Sequence, residues 1–424
     1  MKKQPIRTTH KTNLSTMMEK TNKCLDFSKK ICYKLRVFIS AFIIIILLFL
    51  ILWVIDIMMI SNKFLDPFER AFLDFQYTDI FYSQIKKKQL VLDTNIVLVN
   101  IGDNNRQEIA REIEIIQSYK PKVIGLDIIF RNNGDTAGNA GLNKIISTAP
   151  NIVLARQIVF QDGVPTHLDT TANLFKAIHT GHVNFPGQNQ RSSTIREFQP
   201  IIQVGDELIP AFTIEIIKQY NPEVIEILIK RGYNREIINY SGTLQSFPYI
   251  NETEIISQVT GLEVIKDKIV LLGYFNTGRS FSFEDKYFTP FNEELSGRSW
   301  PDMYGIVIHA NILSMIIRGD YIYQPPVFLE RIITFIISYL FLLFFIYLLK
   351  WKELWYIPFS LLIQLVSSIV ILYIIFNIYS FANLKFTSTL LIVLIILSVE
   401  AAKANDFVIR ITDRYINSRK ETKR

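Results

Sequence analysis

The sequence predicts an α/β domain with a largely parallel or mixed sheet, together with four transmembrane α-helices, one N-terminal and three C-terminal. Three observations lead to this fold class. Nearly half of the 424 residues are hydrophobic, and the longest apolar runs lie near the two ends of the chain. The residues between these runs alternate short β-branched stretches with stretches of helical period. Positive charge is concentrated at the two ends, as expected for segments that flank a membrane.

The first elements are a basic leader and a membrane anchor. Residues 1–36 hold ten Lys and Arg against two Asp and Glu, and residues 37–60 follow with one charged side chain, Asp56. At about 1.5 Å per residue, such a helix exceeds a hydrocarbon core of roughly 30 Å. No small-residue cleavage site follows it, so we expect an anchor that is not removed as a signal peptide.

Three further apolar runs close the chain. They lie at residues 327–349, at 354–376 and, more weakly, at 384–399, with two lysines in the loop 350–353 and a basic tail at 400–424. Basic segments favour the cytoplasmic side of a membrane. Four spans therefore place both termini in the cytoplasm and residues 61–326 outside it, in a multi-pass protein of the inner (cytoplasmic) membrane.

Charge and cysteine content exclude two classes of domain. Residues 61–326 hold 25 basic against 30 acidic residues, so this region lacks the basic surface that a nucleic-acid partner would require. Both cysteines, Cys24 and Cys32, lie in the leader. The extracytoplasmic region must therefore be stabilised by an ordinary hydrophobic core and not by disulfides.

The extracytoplasmic region begins with a β-α-β unit. Residues 95–101 form a β-branched strand, and isoleucines at helical spacing follow it. Asn105 and Glu108 have the spacing of a capping box, which marks the start of this helix. Residues 122–130 return to an apolar strand, and the crossover between the two strands makes them parallel.

Further elements follow along the chain. Strands are predicted at 151–160 and 268–274, and helices at 142–148, 211–220 and 305–318. The last helix is apolar on nearly every face, which predicts burial. Its polar stripe of Asn311, Ser314 and Arg318 is expected to face solvent. Residues 160–210 and 275–303 have no clear period and are left as irregular insertions or short strands.

Several segments, in the order of the family, resemble the second type of CHASE domain, an extracytoplasmic sensory module of bacterial membrane proteins. They are KPKVIGLDIIF, INYSGTLQSFPYI, KDKIVLLGYF, Asp285 with Thr289-Pro290, and GIVIHANILSMIIRGDYI. AFLDFQYTD also resembles the opening helix of the family, and Ser193 to Arg196 with Pro200-Ile201 resembles a later segment. The resemblance covers roughly residues 66–326.

The resemblance implies a receptor-type protein. In many relatives an output module such as a kinase or cyclase follows the last span. Here the residues after Val399 are too few for a catalytic domain. We therefore expect any output to come from a separate protein partner.

Five residues are candidates for ligand binding. Asp103 and Asp127 lie at the carboxyl ends of predicted parallel strands, where open α/β sheets form ligand crevices. Arg196, Asp285 and His309 are further candidates. Two have simpler alternatives: Asp103 as the N-cap of the next helix, and His309 as a core histidine bonded to nearby backbone.

No catalytic residue, metal site or cofactor is predicted, and we expect that the protein is not an enzyme. The sequence lacks the phosphate-binding motifs G-x-x-x-x-G-K-[ST] and G-x-G-x-x-G and the nucleophile motif G-x-S-x-G. His167, His179 and His182 lack the spacing of a helical metal site.

The leading hypothesis is a sensor-type membrane protein whose outer domain binds an unknown small molecule or envelope component and signals through a separate cytoplasmic or membrane partner. The alternative is a non-catalytic envelope scaffold that binds another protein through the same domain. The lipid bilayer is a partner in both cases, and a homo-oligomer is compatible with either.

Overall fold

The computed structural model divides into two compact units. One unit is Pro67–Tyr323, and the other combines Met1–Asp66 with Gln324–Arg424. The structure describes residues 31, 33–55, 57, 76–89, 91–131, 135–169, 175–186, 194–258, 261–276, 285–292, 300–351, 353–387 and 389–421. All elements named below lie within these residues.

The elements are numbered in chain order. The strands are β1 (Ile96–Asn100), β2 (Val123–Leu126), β3 (Ile152–Arg156), β4 (Ile158–Gln161), β5 (Val164–Leu168), β6 (His179–His182), β7 (Glu197–Phe198), β8 (Ile201–Val204), β9 (Glu207–Pro210), β10 (Glu236–Ile237), β11 (Tyr249–Ile250), β12 (Ile269–Gly273), β13 (Lys286–Tyr287) and β14 (Met303–Tyr304). The helices are α1 (Tyr33–Ile55), α2 (Tyr77–Ile80), α3 (Arg106–Ser118), α4 (Thr136–Thr148), α5 (Phe212–Tyr220), α6 (Pro222–Arg231), α7 (Glu252–Ile256), α8 (Gly305–Arg318), α9 (Val327–Trp351), α10 (Tyr356–Ala382) and α11 (Thr389–Glu421).

One parallel sheet of six strands forms the centre of the unit Pro67–Tyr323. Its order is β11-β1-β12-β2-β3-β6, and each neighbouring pair is parallel. The predicted parallel unit β1-α3-β2 is confirmed, but β12 lies between its two strands. Val270 of β12 pairs with Val97 on one side and with Ile124 on the other. The predicted α/β class is therefore confirmed, and the sheet is wholly parallel.

Helices cover both faces of this sheet. Ile124 and Leu126 of β2 belong to the same hydrophobic core as Ile113 of α3. Gly125 lies between them, and a Cβ on it would come within 2.8 Å of Phe212 Cζ at the start of α5. Because successive strand residues point to opposite faces, α3 and α5 lie on opposite sides of the sheet. The result is a three-layer α/β/α arrangement.

The start of α3 follows its sequence signal. The Asn105 side chain accepts hydrogen bonds from the N–H groups of Gln107 and Glu108, both at 3.0 Å, and Glu108 accepts one from the Asn105 N–H at 2.8 Å. The predicted capping box is thus confirmed. Asn105, and not Asp103, is the N-cap, so the simpler alternative for Asp103 does not hold.

The stretch from 160 to 210, which had no clear period, contains short strands. Two hairpins, β4-β5 and β8-β9, share a small core of Ile158, Ile202 and Ile209. Between them, β6 adds the last strand to the parallel sheet. Strands of two to five residues carry too few side chains to show a period, which explains why the sequence pattern missed them.

Helix α8 is buried over nearly its whole length, as predicted. The expectation that its polar stripe faces solvent was wrong for Asn311 and Ser314, which are fully buried. Asn311 accepts a hydrogen bond from the Ser241 N–H at 2.8 Å, and Ser314 donates one to Asp93 at 2.6 Å. The stripe therefore attaches α8 to neighbouring loops through satisfied polar groups.

In the described part of the other unit, three helices are long and apolar enough to cross a membrane. They are α1, α9 and α10, and they overlap the predicted spans 37–60, 327–349 and 354–376. Residues 56 and 58–60 of the first predicted span lie outside the described residues.

The fourth predicted span, 384–399, does not meet the same criterion. Helix α11 begins at Thr389, and its apolar part ends where Glu400, Lys403 and Asp406 follow. At about 1.5 Å per residue, that apolar part covers roughly half of a hydrocarbon core. The part nevertheless packs within its unit, since Val399 and Ala402 share a core with Ala41 of α1.

Candidate functional site

A cavity of about 400 Å³ lies at the carboxyl ends of β1, β2, β3, β6 and β12. This is the edge at which open parallel sheets form ligand crevices. The first turns of α8 and the strand β13 complete its walls. The lining residues are Ile101, Gly102, Asp103, Asp127, Ile128, Ile129, Gln157, Val183, Phe185, Tyr274, Asp285, Tyr287, Gly305 and His309.

The cavity brings together four of the five candidate residues. Asp103 follows β1, Asp127 follows β2, Asp285 precedes β13 and His309 lies in the second turn of α8. They come from four separate segments of the chain. A shared concave surface for these residues is the geometry that a small-molecule site needs.

The fifth candidate, Arg196, does not line this cavity. Its guanidinium donates two hydrogen bonds to the Asp79 carboxylate, from Nε at 3.0 Å and from Nη2 at 2.6 Å. Both side chains are largely buried, at 13% and 4% exposure. A bidentate buried pair of this kind ties α2 to the domain, so the geometry of Arg196 is that of a structural anchor.

His309 is held among aromatic rings. Its imidazole stacks on Phe185 at a centroid distance of 4.8 Å, and the ring of Phe212 lies at a steep angle to it at a centroid distance of 5.4 Å. Its Nε2 lies 4.0 Å from Asp127 Oδ1, which is too long for a hydrogen bond. Its Nδ1 is buried without a hydrogen-bond partner. The simpler alternative, a core histidine bonded to neighbouring backbone, therefore does not describe it.

Burial disfavours the charged forms of both Asp127 and His309. Burial raises the pKa of the Asp127 carboxyl well above its usual range, and the nearby Asp285 raises it further. Burial lowers the pKa of His309 to about 3, with a smaller contribution from His182. Uncharged groups in a cavity keep their hydrogen-bonding capacity for an incoming ligand.

Asp285 lies where β13 and α8 meet. Its backbone carbonyl accepts a hydrogen bond from the Gly305 N–H at 3.0 Å, and its carboxylate accepts one from the Tyr287 hydroxyl at 3.4 Å. A Cβ on Gly305 would come within 3.1 Å of Asp285 Oδ2, so glycine permits this close approach. Burial, followed by the charges of Asp285 and Asp127, raises the pKa of Tyr287 above its usual value.

Sequence reasoning missed one wall of the cavity. Val183 and Phe185 follow β6, which is positioned by a close approach between Gly181 and α5. A Cβ on Gly181 would lie 2.6 Å from the backbone of Phe212. An isolated β-bridge from His182 to Ala211 continues this contact. The signal available in the sequence was the glycine inside HTGH, which marks a close backbone approach within a strand.

Asn100, the last residue of β1, ties together two loops beside the cavity. Its side-chain oxygen accepts hydrogen bonds from the N–H groups of Gly102, at 3.2 Å, and Phe275, at 3.1 Å. These two groups belong to the loops that follow β1 and β12. Asn100 is part of β1, and its buried amide holds both loops. The separation of the loops is therefore fixed by a residue of the sheet.

The described residues supply binding groups and no recognisable catalytic set. Among the described lining residues there is no serine or cysteine, and His309 lies too far from Asp127 to share a proton with it directly. Within the described part of the chain, no three His, Cys, Asp or Glu side chains converge to hold a metal ion. The arrangement is chemically suited to holding a small polar molecule.

Comparison with known proteins gives one match. The family model described as CHASE2 domain matches residues 43–350, a range that includes the whole cavity. No curated protein matches the chain, and no solved structure does. The resemblance seen in the sequence motifs is therefore confirmed. Because the matched range covers well over half of the 424 residues, the chain belongs to the CHASE2 domain family.

Proposed function

We propose that this protein is a membrane sensor whose extracytoplasmic CHASE2 domain binds a small molecule in the cavity at the carboxyl edge of its sheet. The observation that carries the proposal is the position of α8. Gly305 and His309, in its first two turns, line the cavity. The helix ends at Arg318, nine residues before the membrane helix α9 begins at Val327. A ligand that contacts the first turns therefore contacts the element that leads to the membrane.

The far end of α8 is held by a buried carboxylate. Asp93 accepts hydrogen bonds from Ser314 at 2.6 Å and from Arg318 at 3.0 Å, and its side chain is 1% exposed. Gly319 then ends the helix in the left-handed conformation, with a φ of 65°. Because this end of the helix is bonded to the domain, a displacement of its first turns would strain these bonds.

An arginine clamp holds the segment that leaves the domain. Arg231 donates hydrogen bonds to Glu236 at 2.8 and 3.0 Å and to the carbonyl of Ile322 at 2.8 Å. Its guanidinium also lies over the rings of Tyr321, at 4.6 Å, and Tyr323, at 4.7 Å. These contacts fix the residues that directly precede the linker to α9.

Asn239 joins the entering and leaving ends of the domain. Its side-chain oxygen accepts hydrogen bonds from the Tyr82 hydroxyl, at 3.1 Å, and from Lys86. Its side-chain nitrogen donates to the carbonyl of Asp320 at 3.0 Å, and its backbone N–H lies 3.2 Å from Met315 Sδ in α8. A displacement of α8 would therefore be felt at both ends of the domain.

Ligand binding can signal only if it favours one arrangement of these contacts over another. A ligand with equal affinity for both arrangements shifts nothing. The cavity meets this requirement in principle because its walls come from separate segments, which a ligand would draw together or push apart. We propose that the displaced element is α8.

We further propose the four-span arrangement, with both termini in the cytoplasm and output from a separate protein partner. The basic leader, the lysines at 350 and 352 and the basic tail support this orientation. A non-enzymatic role is also part of the proposal. It is supported by the absence of phosphate-binding and nucleophile motifs from the sequence.

Hydrogen exchange on the full-length protein in lipid nanodiscs tests the proposal. The protein would be incubated with fractions of a small-molecule extract from its native envelope and medium. We expect one fraction to slow exchange in the cavity segments 101–103 and 285–287 and to change exchange in the leaving segment 319–323. Ligand contact explains the first effect, and displacement of α8 explains the second.

A matched pair of variants controls this experiment. Val183→Trp fills the cavity from one wall, whereas Val164→Trp makes the same change at a position that is 61% exposed in a hairpin. The response should be lost in the first variant and kept in the second. If no fraction protects the cavity, and a protein partner instead protects another surface of the domain, the scaffold alternative replaces the sensor.

A further inference from the structure

The ionisable side chains that line the cavity are mainly carboxyl groups. Asp103, Asp127 and Asp285 are its carboxyl groups, and no Lys or Arg is among the described lining residues. His309, the remaining titratable base, is held uncharged by its burial. Carboxyl groups with no Lys or Arg among the described lining residues give the cavity a negative potential, which favours a cation.

Two of these carboxyl groups influence each other's ionisation. The charge of Asp285 disfavours ionisation of Asp127, in addition to the effect of burial. A neutral ligand such as a sugar would leave this repulsion in place. A positive charge placed between the two would relieve it and would let both groups ionise.

Aromatic rings lie beside these carboxyl groups. Phe185 and Tyr287 meet edge to face with their centroids 5.6 Å apart, and Phe185 also stacks on His309. Tyr274 adds a third ring to the lining. Aromatic faces attract cations that carry alkyl groups, because the ring offers negative charge to the cation and apolar contact to its substituents.

The lining of this cavity is poorly suited to a metal ion. Bare divalent cations require several converging oxygen or nitrogen ligands. The described residues contain no group of three His, Cys, Asp or Glu side chains placed to provide them. An organic cation needs fewer direct ligands and uses the aromatic surface as well.

We propose that the cavity binds a small organic cation, with an alkylammonium group between Asp127 and Asp285 and its carbon substituents against Phe185 and Tyr287. The inference rests on the proposed function and names the class of ligand for that site. It does not depend on how the signal is passed on.

The proposal makes binding depend on pH. Burial and the charge of Asp285 favour the protonated form of Asp127, whereas a bound cation favours its ionised form, so cation binding is coupled to the release of a proton. Affinity should therefore rise with pH over the range in which Asp127 of the empty cavity titrates. The titratable groups that face or adjoin Asp127 are Asp285 and Tyr287 from the β13 segment, His309 from α8 and, next to it, His182 at the end of β6.

The test uses full-length protein in nanodiscs and isothermal titration calorimetry. The probes are tetramethylammonium, choline, putrescine and spermidine, with 3,3-dimethyl-1-butanol as the uncharged analogue of choline. Glucose and Ca²⁺ represent polyols and metal ions. We expect at least one ammonium probe to bind, with choline or another ammonium at least about tenfold tighter than the uncharged analogue. Titrations in buffers of different ionisation enthalpy should show proton release.

Three Asp→Asn variants make the test specific. Asp127→Asn and Asp285→Asn should each weaken binding of the ammonium probe about tenfold or more. Asp162→Asn is the matched control, since Asp162 is exposed in the β4-β5 turn and its left-handed φ of 50° suits asparagine. Asp285 is itself exposed, so its variant remains informative if Asp127→Asn does not fold.

The outcomes separate this inference from the proposed function. Equal affinity for choline and its uncharged analogue, binding of glucose or Ca²⁺ alone, or failure of every ammonium probe overturns the cation assignment. The sensor proposal still stands in those cases if an extract fraction protects the cavity in hydrogen exchange. If no small molecule of any class protects the cavity, both proposals fail.

Discussion

At the scale of single residues, Glu112 shows how burial of a carboxyl group links stability to pH. Its side chain in α3 is fully buried, with one oxygen accepting a hydrogen bond from Asn104 at 2.6 Å and the other without a partner. Burial is the main cause that raises its pKa to about 8, and the charges of Glu252 and Glu108 add to it. The folded protein thus holds a proton that the unfolded chain releases near its ordinary value of 4.5.

The sign of the resulting pH dependence follows from linkage. Between pH 4.5 and about 8 the folded state binds more protons at Glu112 than the unfolded state does, so the free energy of unfolding falls as pH rises. We expect Glu112→Gln to remove this loss and to raise stability at pH 8 by at least about 1 kcal/mol relative to the parent. Thermal unfolding of the full-length protein in detergent at pH 5, 6.5 and 8 measures it.

The exposed Glu114 on the same helix supplies the control. Glu114→Gln should leave the pH profile of the melting temperature as it is in the parent. An equal effect of both substitutions would show that general surface charge, and not the buried carboxyl group, sets the profile.

At the scale of elements, Asn311 attaches α8 to the loop that contains Ser241 and Gly242. Its side chain accepts hydrogen bonds from the N–H groups of Ser241, at 2.8 Å, and Gly242, at 3.0 Å, and donates to the Gly242 carbonyl at 2.9 Å. Leucine has a similar volume but cannot bond to these groups. Each buried backbone group left without a partner costs about 1–3 kcal/mol.

We therefore expect Asn311→Leu to lower the free energy of unfolding by roughly 2–4 kcal/mol. Chemical denaturation of the full-length protein, followed by tyrosine and tryptophan fluorescence, measures the change. Asn234→Leu, at an exposed turn position, should stay within about 0.5 kcal/mol of the parent. A loss of similar size in both variants would contradict a specific role for the Asn311 bonds.

Asn311 also shows why part of the fold could not be predicted from the sequence. A helix with a polar stripe is usually amphipathic, and the pattern alone cannot tell a solvent-facing stripe from one that bonds to a buried loop. The distinction depends on residues 241 and 242, which lie about 70 positions earlier in the chain. The apolar character of α8 was predictable because it repeats within the helix itself.

The sheet was likewise predictable from local sequence patterns, whereas part of the cavity depends on distant contacts. β1, α3, β2 and β12 were predicted because each has a period or a continuous apolar run. The rule that ligands bind at carboxyl ends of parallel strands then selected Asp103 and Asp127, and both line the cavity. Phe185 and Tyr287 lie in or beside strands of two to four residues, where no period can develop. Their position depends on tertiary contacts that the sequence pattern does not encode.

At the scale of the whole molecule, two prolines lie between the domain and the membrane helix. Gln324, Pro325 and Pro326 connect Tyr323 to α9, and proline restricts the backbone of such a link. We expect replacement of Pro325 and Pro326 by Gly and Ser to uncouple the domain from α9. A fraction that protects the cavity should then still bind but should no longer change hydrogen exchange in the first turn of α9, residues 327–331.

A second proline variant controls for general effects. Pro165→Gly removes a proline from the β4-β5 hairpin, and it should leave the response at 327–331 as in the parent. A response in the Gly-Ser linker variant as large as in the parent would show that the linker does not need to be stiff.

The topology of the molecule depends on α11. Its apolar part from Thr389 to Val399 covers roughly half of a hydrocarbon core, so a full crossing requires Glu400 and Lys403 to approach the lipid. These two side chains form an ion pair at 2.8 Å, which lowers the cost of burying either charge. The basic tail beyond them favours the cytoplasm. We therefore expect α11 to cross the membrane as the fourth span.

Cysteine labelling on intact spheroplasts measures this arrangement. With Cys24 and Cys32 replaced by serine, single substitutions would be made at Val164→Cys, Leu354→Cys and Leu384→Cys, and at Ser418→Cys in the tail. A membrane-impermeant maleimide should label positions 164 and 384 in intact spheroplasts. It should label positions 354 and 418 only after the membrane is permeabilised. Labelling of 418 from outside would reduce the count to three spans. Protection of 164 would move the cavity to the cytoplasmic side and remove the basis for an extracytoplasmic sensor, because the ligand would then have to come from within the cell.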